Sequence, residues 1–168
     1  VQILDAARAI DPAAAPALAE RFDETALVAA LAGARAESVR VESGGRSLSV
    51  PASWSEALAL RAREPEATVV AGATDIGVQI NKRLRAPERI LHLRPELDGF
   101  AAISVADGAL RLGAGARWTE VLDRTRDALP ELVPILERFG APQIRNAGTV
   151  VGNLVNASPI ADSLPWLY

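Results

Sequence analysis

The chain has 168 residues, of which 49% are hydrophobic and 23% are charged, so its apolar content suffices for one ordinary core. Its net charge of -3 leaves no basic excess for a nucleic-acid backbone, and no window approaches the roughly 18 consecutive apolar residues of a membrane helix. With no cysteine and a single histidine, His92, the sequence excludes disulfides, thiolate-bound iron–sulfur clusters and a Ser/His/Asp triad within this chain.

The first 48 residues differ from the rest, because they are alanine-rich, contain Pro12 and Pro16, and show no repeated strand pattern. Within them, ETALVAALAG predicts a short helix that Asp23 caps and Gly33 ends. We therefore predict that residues 1–48 form a helical connector. The lack of a signal peptide leads us to expect a cytoplasmic location, and the lack of methionine, even at position 1, a piece of a longer polypeptide.

From Ser49 onward, short strands alternate with helices, which predicts an α+β domain over residues 49–168. The segment SVPASWSEALALRAREP contains a strand and then a helix, with Ser53 and Glu56 as a capping box and Pro65 as the stop. TVVAG is predicted as a strand, and ATDIGVQINKRLRAP as a helix with basic residues in its last turn.

Three further strands and two helices are predicted before the C-terminal stretch. The strands are RILHL, AAISVA and ALRLGAG, and Asp107-Gly108 between the last two is typical of a hairpin turn. His92 lies in the first of these strands, where a structural role is its simplest interpretation. WTEVLDRTRDAL and PELVPILERFG are predicted helices, and a stretch rich in Gly, Asn, Ser and Pro runs from Ala141 to Pro165.

The segment Thr68–Gly77 (TVVAGATDIG) places a strand, a turn of small residues and a helix start in succession. The first amide groups of such a helix have no intrahelical partner and can hold a phosphate. Gly72 and Ala73 would leave room for a ligand to approach the backbone. An ordinary strand-to-helix turn is the alternative interpretation.

A second segment, Gln143–Asp162 (QIRNAGTVVGNLVNASPIAD), is dominated by small and amide-bearing residues with a few large apolar ones between them. This pattern suggests a backbone fixed to the core while its polar groups face a ligand. Asn153 follows Gly152 in what the pattern predicts to be an apolar strand. The alternatives are a plain glycine-rich loop or, at Asn156-Ala157-Ser158, a glycosylation site, for which a secretory signal is missing.

TVVAGATDIG, followed later by FGAPQIRNAGTVVGNLVNASPIAD, is similar to the flavin-binding segment of molybdenum hydroxylases of the xanthine dehydrogenase family. The two loops of that family are approximately V-x-G-x-T-[DE] and R-N-x-[GA]-[ST]-x-x-G-N-x-x-x-A-S-P-x-x-D. The resemblance covers residues 49–168, about the first half of the flavoprotein domain, and ILDAARAI resembles the last helix of the family's iron–sulfur domain. Thr74-Asp75-Ile76 and Ala157-Ser158-Pro159 resemble xanthine dehydrogenases more than carbon monoxide dehydrogenases.

The resemblance implies the N-terminal part of a vanillyl-alcohol-oxidase-like (PCMH-type) fold, with FAD in a cleft between two subdomains. Two residues depart from the family pattern: Ala73 stands where glycine or asparagine is frequent, and Val151 replaces the first glycine of a Gly-Gly pair. The resemblance implies three groups of contacts with FAD. The pyrophosphate and ribityl group would be contacted by Val69, Val70, Ala71, Gly72, Ala73, Thr74, Asp75 and Ile76, and the flavin ring by Phe139 and Gly140. Hydrogen bonds would come from Thr149, Gly152, Asn153, Asn156 and Asp162. Phe139 has an alternative role as the last apolar residue of its helix, and Asp162 as the cap of a turn.

In that family a heterocycle or aldehyde is hydroxylated at a molybdopterin-bound molybdenum elsewhere, and electrons pass through 2Fe–2S clusters to FAD and then to NAD or oxygen. The resemblance implies a molybdenum-cofactor subunit or domain and an upstream iron–sulfur domain as partners, an oligomer, and NAD as the expected acceptor. Residues 1–168 alone are expected to bind FAD weakly, because the family's second half supplies one wall of the pocket. The alternatives are another flavoenzyme on this fold, such as an enolpyruvyl sugar reductase, and a structural module that has lost FAD.

Overall fold

The computed structural model describes residues 8–9, 11, 24–84, 86–157, 163 and 165. The chain divides into two compact units, residues 1–36 and 37–168. In the first unit, helix α1 comprises Glu24–Arg35. Gly33 therefore lies inside this helix rather than at its end, and its carbonyl accepts a hydrogen bond from Ala36 N at 3.0 Å. The predicted cap, Asp23, lies outside the described residues.

The second unit contains a four-stranded sheet with the order β1-β2-β4-β3. Its strands are β1 (Val39–Ser43), β2 (Arg46–Val50), β3 (Thr68–Val70) and β4 (Arg89–His92). Strands β1 and β2 are antiparallel, whereas β4 is parallel to both β2 and β3. The prediction of a helical connector is therefore wrong for residues 39–48, which form β1 and most of the β1–β2 hairpin. Gly44 and Gly45, at φ 56 and 77, form the hairpin turn that the alanine-rich composition of the preceding residues obscured.

Helix α2 (Trp54–Arg63) follows β2 and packs Ala57 and Leu60 into the core. Ser53 Oγ accepts a hydrogen bond from Glu56 N at 3.3 Å, as the predicted capping box requires. The Glu56 carboxylate, however, accepts from Ser38 Oγ and from Ala52 N, the latter at 3.1 Å, rather than from Ser53 N. These two bonds, with that from Ser38 the stronger, hold the pKa of Glu56 below its ordinary value.

Helix α3 (Thr74–Asn81) is shorter than the sequence predicts, because the basic residues after Asn81 are not helical. Arg83 adopts the left-handed conformation at φ 56. Its amide donates to Ile80 O at 3.0 Å, and Leu84 N donates to Gln79 O at 2.9 Å. This is the pattern of a Schellman motif, in which glycine usually occupies the left-handed position. Because Arg83 stands there instead, the helix end could not be recognised from the residue types.

The remaining elements build the main core. Strands β5 (Ile103–Ala106) and β6 (Ala109–Leu112) form the predicted hairpin, with Asp107 and Gly108 at φ 53 and 71 in its turn. Then follow α4 (Trp118–Thr125), a 3₁₀ turn (Pro130–Leu132), α5 (Val133–Arg138), α6 (Pro142–Arg145) and α7 (Val150–Asn156). The buried cluster consists of Ala116, Trp118, Val121, Leu122, Leu132, Leu136, Phe139 and Val150. None of the helices in the described ranges has the length and apolar content of a membrane span.

Candidate functional site

A groove of about 360 Å³ lies where the end of β3 and the start of α3 face α7. Residues of both candidate ligand-binding segments, Thr68–Gly77 and Gln143–Asp162, line it. All of the predicted site residues line this groove except Gly140, which lies just beyond Phe139, and Asp162, which lies outside the described residues. The structure adds residues that the sequence analysis did not assign to the site: Thr68, Gln79, Trp118, Ile144, Gly148 and Val155.

Hydrogen bonds from the end of β4 hold the turn between β3 and α3 in place. His92 Nε2 lies 3.1 Å from Ala71 O, and Leu93 N donates to Val70 O at 2.8 Å. These bonds fix the end of β3, so His92 has the structural role that its place in a strand predicted.

Helix α3 presents free amide groups to the groove at its first turn. The first intrahelical bond runs from Gly77 N to Ala73 O at 2.8 Å, so the amides of Thr74, Asp75 and Ile76 have no acceptor within the helix. No side chain caps this end. The positive end of the helix dipole and the three amides together favour an anionic group at this turn.

Gly72 lies against the second segment rather than beside open space. A Cβ atom on Gly72 would lie 2.1 Å from Ala147 O and 2.9 Å from Ala147 C, far inside contact distance. The prediction that Gly72 leaves room for a ligand is therefore corrected, because its Cβ position is already filled by backbone. Glycine is required here so that the two segments can meet along one edge of the groove.

Ala73 adopts the left-handed conformation, with φ 59 and ψ 3. This conformation costs a non-glycine residue about 1–2 kcal/mol. Glycine and asparagine adopt the left-handed conformation more readily, and they are frequent at this position in the family that the sequence resembles. Ala73, which departs from the family pattern, therefore strains the backbone at the start of α3.

Ala73→Gly is expected to raise the free energy of unfolding by about 0.5–1 kcal/mol, because relief of the left-handed strain exceeds the extra entropy of an unfolded glycine. The matched control is Ala62→Gly on the exposed side of α2, which should lower the same quantity by about 1 kcal/mol. Urea denaturation of both variants measures the difference. An equal decrease in the free energy of unfolding in the two variants would mean that Ala73 is not in the left-handed conformation.

The second segment is fixed to the core by backbone bonds on both sides of Thr149. Trp118 N donates to Gly148 O at 3.3 Å, and Val150 N donates to Ala116 O at 3.0 Å. Thr149 pairs with Arg117 in an isolated antiparallel bridge. This confirms that the backbone of the segment is fixed to the core.

The residues after Thr149 form helix α7, not the apolar strand that the sequence predicted. Thr149 Oγ1 caps the helix by accepting a hydrogen bond from Gly152 N at 3.1 Å. Residues spaced by three, four and seven share one helix face, which explains why Thr149, Gly152, Asn153 and Asn156 line the groove together. Val151 lies off this face and does not line the groove.

Two aromatic rings form the apolar floor of the groove. Trp118 is 1% exposed and Phe139 is 9% exposed, and their ring centroids are 4.5 Å apart. Phe139 thus belongs both to the core and to the groove lining. Trp118 is the first residue of α4, and no feature of the sequence had connected it with the site.

Among the groove residues, Asp75 is the one with an ionisable side chain, and its carboxylate accepts a hydrogen bond from Gln79 Nε2. In the described part of the chain, no three His, Asp or Glu side chains cluster in a way that could hold a metal ion. The groove offers backbone amides, hydroxyl and carboxamide groups, and an apolar floor. This set of groups suits the binding of an organic anion better than acid–base chemistry.

Comparisons with known proteins all point to one family. Residues 41–168 match the family described as the FAD binding domain in molybdopterin dehydrogenase. The xanthine dehydrogenase FAD-binding subunit of Escherichia coli O157:H7 is 33% identical over 116 residues, which cover 67% of this chain and 39% of that subunit. Xanthine dehydrogenase 2 of Arabidopsis thaliana is 32% identical over 131 residues, which cover 70% of this chain and 10% of the plant protein.

The solved structures agree with these sequence matches. A chain of the Cu,Mo-CO dehydrogenase superposes with a TM-score of 0.61 at 25% identity, covering 70% of this chain and 42% of that one. Quinoline 2-oxidoreductase from Pseudomonas putida 86 gives a TM-score of 0.57 at 25% identity, covering 65% of this chain and 39% of that one. The present chain therefore spans about two fifths of the length of these two chains.

These matches confirm the predicted α+β, PCMH-type fold and the resemblance to molybdenum hydroxylases. The groove is compatible with FAD, because it combines free amides for phosphates with an apolar floor for a ring. The chain belongs to the family of FAD-binding domains of molybdopterin dehydrogenases.

Proposed function

We propose that this chain is the FAD-binding electron-transfer part of a xanthine dehydrogenase-like molybdenum hydroxylase, and that FAD binds in the groove between β3, α3 and α7. The observation that carries the proposal is that Gly72 and Ala147 bring the two family segments together around one groove. The predicted site residues stay a proposal for FAD, with Gly140 and Asp162 outside the groove lining that the structure describes.

The first turn of α3 would hold the pyrophosphate of FAD. The amides of Thr74, Asp75 and Ile76 are free to donate, and each bond to a charged oxygen adds about 1.5–3 kcal/mol. Asp75 would repel a phosphate placed beside its carboxylate. We therefore assign the Asp75 carboxylate to a hydroxyl donor, such as the ribityl chain, and the amides to the phosphates.

The polar face of α7 would orient the cofactor from the opposite wall. Asn153 and Asn156 carry amide groups that both donate and accept, so they can pair with hydroxyl, phosphate or ring atoms of FAD. Phe139 would pack against an apolar ring while it covers Trp118. These contacts bind and orient the cofactor and exclude water from one side of it.

FAD, when bound, supplies the redox chemistry of the protein. We propose that electrons arrive from 2Fe–2S clusters of an upstream iron–sulfur domain and leave to NAD or oxygen, with NAD the expected acceptor. A subunit or domain that carries molybdopterin would complete the enzyme, in keeping with the molybdopterin dehydrogenase family and with the Cu,Mo-CO dehydrogenase that this chain resembles. We also propose that the residues before β1 link the iron–sulfur domain to the FAD-binding domain, within a cytoplasmic oligomer.

Asn153→Leu is expected to lower the FAD content of the purified protein by about tenfold, because it replaces a groove-facing amide by an apolar group that leaves its polar partners unpaired. The ratio of flavin to protein absorbance measures the loss. Asn153 also accepts a hydrogen bond from Ser163 Oγ, so far-UV circular dichroism must show that the fold is retained.

The matched control is Asn81→Leu, at the exposed last residue of α3 and outside the groove. It should leave the flavin content unchanged. Wild-type flavin content in the full-length Asn153→Leu protein would count against the assignment of α7 to the cofactor site. A full-length wild-type protein that takes up no FAD would overturn the proposed function.

A further inference from the structure

Arg145 joins its own helix to the end of the preceding one. It is the last residue of α6, and its Nη1 atom lies 2.7 Å from Gly140 O, 3.1 Å from Phe139 O and 3.2 Å from Glu137 O. Glu137 lies in the last turn of α5, Phe139 is its C-cap residue and Gly140 follows it, so these carbonyls have no partner within the helix. A guanidinium group at this end is also favoured by the helix dipole.

The corner that Arg145 closes is short and sharply bent. The chain leaves α5 with Phe139 extended, at φ -69 and ψ 112, and then passes through Gly140 at φ 55 before α6 begins at Pro142. One side chain that binds the carbonyls of both Phe139 and Gly140 fixes these two peptide planes relative to α6. The direction in which the Phe139 ring leaves the backbone is thereby fixed as well.

The same helix leads directly into the opposite wall of the groove. Gly148 N donates to Ile144 O at 2.7 Å, and a Cβ atom on Gly148 would lie 3.3 Å from Thr74 Oγ1. Arg145 therefore belongs to the second segment and connects it to Phe139 of the aromatic floor, although it does not line the groove itself.

We infer that Arg145 is a positioning residue for FAD: it holds the Phe139 ring at the angle that gives the groove its floor. The inference rests on the proposed function, because it takes the groove as the FAD site. Phe139 packs against Trp118 at 4.5 Å, so a change of its backbone direction would open this ring pair and expose Trp118 to the cofactor cleft.

Arg145→Gln tests this inference in the purified flavoprotein, with the FAD dissociation constant and the visible circular dichroism of bound FAD as the two measurements. The dissociation constant should rise at least about tenfold, because a neutral amide loses the charge-assisted bonds to the corner. The visible signal per bound flavin should change as well, because it reports the asymmetry of the ring's surroundings. Arg145→Lys should lie between the two proteins, since lysine keeps the positive charge but its shorter side chain ends one bond before the position of Nη1 and cannot reach all three carbonyls.

The matched control is Arg138→Gln, which removes an exposed arginine from the last turn of α5 and should leave both measurements at their wild-type values. Wild-type affinity and an unchanged visible spectrum in Arg145→Gln would overturn the inference while leaving the proposed function intact. If Arg145→Gln does not fold, wild-type values for both measurements in Arg145→Lys would overturn it. A full-length wild-type protein without affinity for FAD would overturn the proposed function and this inference together.

Discussion

Gly72→Val is expected to abolish FAD binding and to lower the free energy of unfolding by about 3 kcal/mol or more. The first added carbon atom would lie 2.1 Å from Ala147 O, and the backbone at Ala147 cannot rotate away as a side chain could. The two family segments would be pushed apart, and with them the two walls of the groove. Flavin absorbance per protein and urea denaturation measure the two effects.

Gly77→Ala is the matched control for this prediction, because it adds a carbon atom to another glycine of the same strand–turn–helix segment. A Cβ atom on Gly77 meets nothing within 4 Å, and the residue lies inside α3. The change should raise the free energy of unfolding by about 0.5–1 kcal/mol and leave the flavin content unchanged. Normal flavin content and stability in Gly72→Val would show that the two segments are not in contact.

Trp118→Ala is expected to lower the free energy of unfolding by about 3–5 kcal/mol, the usual cost of truncating a large buried aromatic residue. Trp118 is 1% exposed and supports Phe139 from below, so the substitution would leave a cavity under the floor of the groove. FAD affinity should therefore fall even at temperatures where the variant is folded. Urea denaturation followed by far-UV circular dichroism gives the stability, and a fluorescence titration with FAD gives the affinity.

Trp54→Ala provides the comparison with a tryptophan away from the groove. Trp54 is 36% exposed, forms an edge-to-face pair with Phe100 with ring centroids 5.6 Å apart, and donates from Nε1 to Asp98 O at 2.7 Å. Loss of one ring pair and one hydrogen bond should cost about 1–2 kcal/mol and leave FAD affinity unchanged. Equal losses of stability and of FAD affinity in the Trp118→Ala and Trp54→Ala proteins would contradict the claim that Trp118 supports the floor of the groove.

Much of the chain could be predicted because its local chemistry is strong. Asp107-Gly108 specified a hairpin, and Ser53 specified the start of α2. Helix α7 was mistaken for a strand because VVGNLV is a short apolar run, which fits a buried strand as well as a buried helix. Thr149, an effective cap residue three positions before Gly152, was the indication of a helix that the sequence did contain.

The sequence by itself determined the family segments, the α+β class and the absence of side chains for thiolate or triad chemistry, because each of these depends on composition or on neighbours a few residues apart. Only the tertiary structure decided why Gly72 must be glycine, which aromatic ring supports Phe139, and what Arg145 binds. The contact of Gly72 with Ala147 and the ring pair of Trp118 with Phe139 join residues far apart in the chain. Such contacts are set by how the elements pack against one another, and no local pattern of residues encodes that packing.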